Sequence, residues 1–348
     1  NQAVAKRLPP GSGRTGFTVT GEVLPAQPGQ WKKIKLGENV YIPEEQENQI
    51  LAKLSGLPKF SGGVISVDDV FVSKGVNVAT GNIKYSGAVI VNGDVTENMK
   101  IVATGDVTID GFVESAYIEA GGDIIITQGA TGKMQDIDCQ LIAAGTIFLE
   151  HGQGVHMHAG KQINVVKQLA YSNVKCKDNL VVGNIANPLG KLFASVIQCN
   201  KSIIAGHVGA VSGSALSIDY SDGYNQLCDR LDALNALFKD LSTKNADHEI
   251  KVSKINARVR AGQLKQKMAD LYKELELERV LLNWLRLSKD DLQHQLNTYE
   301  VHARVIAKKA LYPGVNIKLN KTTWEAKKEY QHCRISLDNG KWLYAPLI

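Results

Sequence analysis

Long apolar runs are missing from this chain: nothing approaches the roughly 18 consecutive apolar residues that a membrane-spanning helix requires. Cysteine is sparse, with five in 348 residues. They form no CxxC pair and have no even count, in a chain too large to need disulfide staples, so they read as reduced thiols of a cytoplasmic protein. Charge of one sign is also lacking. Forty Lys and Arg stand against 35 Asp and Glu, a formal net charge of +5, and the two signs are interspersed. Such a distribution demands no nucleic-acid partner. Gly-x-Ser-x-Gly, His-Glu-x-x-His and a nucleotide fingerprint in context are absent. Gly11-Ser12-Gly13-Arg14-Thr15-Gly16 lacks the Lys-Ser/Thr ending of a phosphate loop and does not lead from a strand into a helix, so it reads as a turn. The first residue is Asn1 and not Met, which reads as a fragment or processed chain with room for an upstream segment.

What is present is a repeat. A small residue, a few turn formers and an apolar closing residue recur as Ala103–Val107, Ala120–Ile124, Ala144–Ile147, Ala159–Ile163, Cys176–Leu180 and Cys199–Ile203. The closing residues lie 17, 23, 16, 17 and 23 positions apart. Upstream, Gly81-Asn82-Ile83, Gly93-Asp94-Val95 and Gly105-Asp106-Val107 are set 12 apart. Short strands at this spacing predict a mainly β fold, a right-handed parallel β-helix whose coils of about 16 to 23 residues have three faces. Alternation assigns the inward slots to Ile118 and Ala120, Ile142 and Ala144, Val155 and Met157, Val174 and Cys176, and Ile197 and Cys199. The two cysteines occupy slots filled elsewhere by alanine, as small buried hydrophobes.

Four regions follow. Residues 1–66 are loop-rich, with a strand expected at Phe17-Thr18-Val19-Thr20-Gly21, and would cap the solenoid; residues 67–218 form the β-helix. Over 219–298 the period becomes helical: Leu227, Leu231, Leu234, Phe238 and Leu241, then Leu264, Met268, Leu271, Leu275, Leu282, Leu285, Leu292 and Leu296, with Glu278 and Lys289 breaking the second stripe. This predicts a long inserted antiparallel coiled-coil hairpin, about 30 residues or ~45 Å per helix, turning near Arg260-Ala261-Gly262. In 299–348 alternation returns, as in Val301–Val305, and the strands would continue and cap the β-helix.

Candidate chemistry is thin. His156 and His158 flank the inward Met157 and face outward, the weak metal candidates of this chain. The same alternation gives them Leu141, Ala143, Asn173 and Lys175 as coil neighbours, a poor ligand set, so neither a metal nor a cofactor is expected. A carbohydrate-cleaving β-helix enzyme would need clustered carboxylates on one face. Asp94, Asp106 and Asp123 instead sit in turns, where Asp bonds the local backbone, and Asp136-x-Asp138 lies in a lengthened coil that reads as a bulge. Surface residues are the better candidates. A second apolar stripe on the hairpin, Leu277, Leu281, Trp284 and Leu287, can meet a partner or dock back on the solenoid; the outward ladder offers Tyr117, His156, His158 and Lys175.

Taken as an ordered set, Gly16–Gly21 with Pro25-Ala26-Gln27-Pro28-Gly29, Gly81-Asn82-Ile83, Gly93-Asp94-Val95, Val102–Val107, Gly111-Phe112-Val113-Glu114 and Tyr312-Pro313-Gly314-Val315 resemble the flagellar assembly protein A family of bacteria, over about residues 9 to 320. The resemblance implies a β-helix carrying a coiled-coil hairpin, a cytoplasmic location that includes the cell pole, and a non-enzymatic scaffold or regulatory role in flagellar assembly or placement. It implies contact with a regulatory or flagellar-pole protein, the glucose-specific IIA component of the sugar phosphotransferase system being the candidate, and more chain ahead of Asn1. It supplies no catalytic residues. The competing expectation is a filament of end-stacked β-helices, as in the similar-looking bactofilins; it needs both ends bare, whereas 1–66 and 299–348 read as covering them.

Overall fold

The computed structural model describes residues 2–31, 35–44, 48–54, 56–133, 138–258, 265–338 and 340–347. Two sheets, of 15 and 10 strands, run the length of the solenoid, and from Val64–Ser73 to Arg304–Leu311 the coils of the larger one pair in parallel. Each coil contributes an inward apolar residue to the same column. One column is Ile101, Ile118, Leu141, Met157, Val174, Ile197, Ile218 and Ile317, each at most 2% exposed. A second runs Val89, Val107, Ile124, Ile147, Ile163, Leu180, Ile203 and Val305. On the third face stand Val76, Val95, Val113, Ala130, Gly152, Leu169, Leu192, Val208 and Leu311. Stacking like on like buries each residue between two neighbours as well as from its own coil.

The columns explain the sequence phrases and correct two of them. Ala103, Ala120, Ala143, Ala159, Cys176 and Cys199 are successive partners, so Ala143 and not Ala144 fills the small slot, and Leu141 and not Ile142 points inward. Adjacent alanines offered two frames; pairing selects the one in which every phrase spans the same four steps from small residue to closing residue. The 12-residue phrases are not one face either. Ile83 starts a strand of the smaller sheet, Val95 belongs to the third face, and Val107 starts a strand of the larger sheet. Twelve residues are two sides of a triangular coil, because the coil itself repeats after 18 residues from Val89 to Val107.

The corners are held by a device that the turn reading missed. Asp94, Asp106 and Asp123 do not bond their own turns. Their Oδ1 atoms accept the amides of Phe112 (2.7 Å), Asp123 (2.8 Å) and Thr146 (2.6 Å) in the next coil. The amides of Gly105 and Gly122, beside Asp106 and Asp123, donate instead to the corner of the preceding coil. Each such carboxylate faces a glycine above it: a Cβ on Gly122 would collide with Asp106 Oδ1, and one on Gly145 with Asp123 Oδ1. Asp138 bonds the Lys133 amide at 3.0 Å, while Asp136 lies outside the described residues.

Near the start, the expected strand at residues 17–21 is only Gly16–Phe17 paired with Val23–Leu24, because Thr18 closes a turn with Glu22 through both backbone and hydroxyl. A small separate core of Val40, Ile50, Ala52, Ile65 and Val67 follows. At the far end, Tyr330–Asp338 and Lys341–Pro346 add antiparallel to Arg304–Leu311, and Thr322–Glu325 folds back on Val315–Leu319.

Candidate functional site

Between the strands Leu216–Asp219 and Arg304–Leu311 the chain leaves the solenoid as helix α1, Ser221–Arg258, and returns as α2, Lys265–His302, each of 38 residues and so about 57 Å long. The helix therefore continues through Val301, where alternation had suggested a strand; Val301 is exposed and the Ala303 amide still bonds the Tyr299 carbonyl. The expected turn at residues 260–262 lies outside the described residues. Cross-contacts run antiparallel: Tyr224 to Glu300, Phe238 to Lys289, Asn245 to Glu278, Glu249 to Arg279.

The seam of α1 steps by three and four through Leu227, Leu231, Leu234, Phe238, Leu241, Asn245, His248 and Val252. Both breaks in the facing stripe have partners there. Glu278, only 14% exposed, accepts the Asn245 amide at 3.1 Å and lies 2.9 Å from His248 Nδ1, without the alignment of a hydrogen bond. Lys289 Nζ sits 4.5 Å over the Phe238 ring.

At its foot the pair is tied to the solenoid. Tyr299 Oη donates to the Tyr220 carbonyl (2.8 Å) and to Asn200 Oδ1 (3.1 Å), and the Asn320 amide donates to Ser221 Oγ (2.7 Å). Tyr224 donates to Glu300 at 2.9 Å, and burial with that carboxylate pushes its phenol up to about 12. Lys175 pairs with Asp222 at 2.8 Å, and the ammonium holds the Asp222 carboxyl below the usual range. Lys175 thus anchors the first turn of α1 and is not free on the outward ladder.

Away from the foot, α2 turns an apolar face to solvent. Leu277, Val280, Leu281, Trp284 and Leu287 are each more than half exposed, with Trp284 at 59%, while Leu275 and Leu285 on the opposite face are buried against α1. Trp284 does not dock on the solenoid. Lying 15 residues from Tyr299, it stands about 22 Å along the helix from the foot. Val280 completes the stripe at i+3 from Leu277 and was legible in the same periodicity.

The ladder residues are on the solenoid, far from this face. Tyr117 Oη donates to Glu119 (2.8 Å), which raises its pKa, and Lys100 Nζ sits 4.3 Å over its ring. His156 lies between Gln140 and Asn173, and His158 between Ile142 and Lys175, which corrects the neighbours read from alternation. Burial, Lys175 and Lys177 lower the His158 pKa. Among the described residues no three His, Cys, Asp or Glu side chains come together as a metal site. Cys176 and Cys199 are buried neighbours, both thiols directed at the Asp178 carbonyl, and all five cysteines are free.

Stacked coils interrupted near their C-terminal end by a long helical pair define a β-solenoid of a particular build. The Flagellar Assembly Protein A beta solenoid domain matches residues 69–342, and the Flagellar Assembly Protein A N-terminal region matches residues 1–63. The chain belongs to the flagellar assembly protein A family. Comparison with curated proteins and with solved structures gave no match. No helix among the described residues is long and apolar enough to cross a membrane.

Proposed function

We propose that this chain is a non-enzymatic cytoplasmic scaffold serving flagellar assembly or polar placement, and that its helical pair acts as a coiled-coil arm which binds another protein. The observation that carries this reading is the exposed face Leu277, Val280, Leu281, Trp284 and Leu287 on a helix whose other face is already buried. An aromatic anchor amid aliphatic side chains at helical spacing is the form in which helices engage a protein partner. The regulatory partner to test first is the glucose-specific IIA component of the sugar phosphotransferase system. The carbohydrate-cleaving alternative draws no support from Asp94, Asp106 and Asp123, whose carboxylates are engaged with backbone amides of the next coil.

The test measures binding of the purified IIA component, and capture from a bacterial lysate, by the intact chain and by a Leu281→Ala/Trp284→Ala variant. The expected result is a protein retained by the intact chain and lost by the variant at unchanged far-UV circular dichroism, since both side chains are exposed. Undiminished retention by the variant overturns the arm model. Against the filament alternative stands the antiparallel covering of the last coil, whose outer strand carries Lys341 and Pro346, features that discourage edge pairing. Sedimentation of the intact chain as large polymers would favour the filament instead.

A further inference from the structure

We propose that a cavity at the foot of the helical pair binds a small phosphate monoester. Three segments that meet only in the folded molecule line an open cleft of about 510 Å3, within the size of small-molecule sites. The solenoid corners after Cys176 and Cys199 supply Lys177, Asn200 and Lys201; the first turns of α1 supply Leu227 and Arg230; the last turns of α2 supply His294, Tyr299 and His302.

Charge selects the class of ligand. Three fixed cations and two imidazoles line the space, and no carboxylate does. Of the acidic groups nearby, Asp178 pairs with Lys201 at 2.6 Å and Asp222 with Lys175 at 2.8 Å, while Asp291 accepts from the Gln295 side-chain amide at 2.8 Å. Lys177 and Arg230 form no ion pair among the described residues. Two uncompensated cations at one concavity match a dianion, and a guanidinium presents its donors in the geometry of a phosphate. Asn200 adds a neutral donor: its Oδ1 accepts from Tyr299 at 3.1 Å, which leaves its NH2 group free. Leu227 and the Tyr299 ring give the wall an apolar portion, so the best ligand carries an organic body beside its phosphate. A plain anion would leave that wall uncovered, and an uncharged molecule would leave the cations unmatched.

The consequence is local. A ligand touching both helices and two solenoid corners would stiffen the root of the arm. Isothermal titration calorimetry on the intact chain tests this with AMP and phenyl phosphate as probes, and with adenosine, phenol and inorganic phosphate as the separated halves. We expect saturable binding of a monoester probe, competition by inorganic phosphate, and no measurable binding of adenosine or phenol. Arg230→Gln and Lys177→Gln should each weaken binding about tenfold, the loss of one charge-assisted contact, whereas the exposed Lys244→Gln should not. Because Lys177 and Arg230 stabilise no ion pair, the variants should keep the wild-type melting temperature, which separates a lost site from a lost fold. The Leu281→Ala/Trp284→Ala variant should bind the probes normally, so the outcome is independent of the arm's protein partner. The proposal is overturned if neither monoester binds at millimolar concentration, or if the double variant Lys177→Gln/Arg230→Gln binds with unchanged affinity.

Discussion

In the solenoid, Ile124 is wholly buried, stacked between Val107 and Ile147 of the neighbouring coils. In the arm, Leu285 is buried against one partner helix only, and its neighbour Trp284 stands mostly in water. The two regions therefore constrain sequence differently. Each solenoid position belongs to a column, and its size and polarity are fixed by the residues above and below. The arm fixes a seam, and most of its remaining surface is left to vary. Residues that could be specialised for a partner are available where columns are not, and that is where the exposed apolar stripe lies.

The comparison breaks most sharply at the corners. A Cβ on Gly160 would run into the Ala144 carbonyl oxygen, and neither backbone can turn aside. We expect Gly160→Ala to destabilise the solenoid by ~3 to 5 kcal/mol, above the usual range for overpacking because the obstacle is backbone, read as a lowered denaturant midpoint. Gly145→Ala should cost less, about 2 to 3 kcal/mol, because the obstacle there is the Asp123 side chain, which can rotate away at the loss of its bond to the Thr146 amide. Combining it with Asp123→Ala should give less than the sum of the two single effects. Strict additivity would mean that carboxylate and glycine are not a matched pair.

Leu285→Ala probes the other side. Removing a buried leucine costs about 2 to 4 kcal/mol where the site cannot collapse, but the arm shares no column with the coils. Hydrogen exchange should therefore quicken in α1 and α2 and leave the strands protected. Equal loss of protection in both regions would show that the arm and the solenoid unfold as one unit.

How much of this was legible follows from where each signal lies in the chain. Coil stacking writes the same residue type at the same slot, so the repeat, the three faces and the inward positions could be read directly. Ala143 and Ala144 defeated that reading locally because either fits the small slot. The roles of Asp94, Asp106 and Asp123 were hidden because their partners lie 17 to 23 residues later. Glu278 and Lys289 looked like interruptions until Asn245 and His248, and the Phe238 ring, were found opposite them. The exposed face of α2 was visible as a second stripe. The basic cavity was not, because Lys177, Arg230 and His294 come from three segments that no local pattern connects.

The smallest effect is expected where the two regions touch. Lys175 is a solenoid residue and Asp222 belongs to the arm, but both side chains are about two-fifths exposed. Their attraction is screened by solvent, and Lys175→Met should lower stability by only a few tenths of a kcal/mol. Its pH dependence carries more information than its size. The Asp222 carboxyl is depressed in the folded state, so the pair stabilises the fold above the ordinary carboxylate pKa of about 4 and loses that contribution as pH falls through the folded value. The difference between wild type and Lys175→Met should thus be present at pH 7, shrink with added salt and vanish in acid. A difference that survives acid would assign Lys175 to the packing of its aliphatic stem against the solenoid and leave the first turn of α1 held by the hydrogen bonds of Tyr299, Ser221 and Asp219.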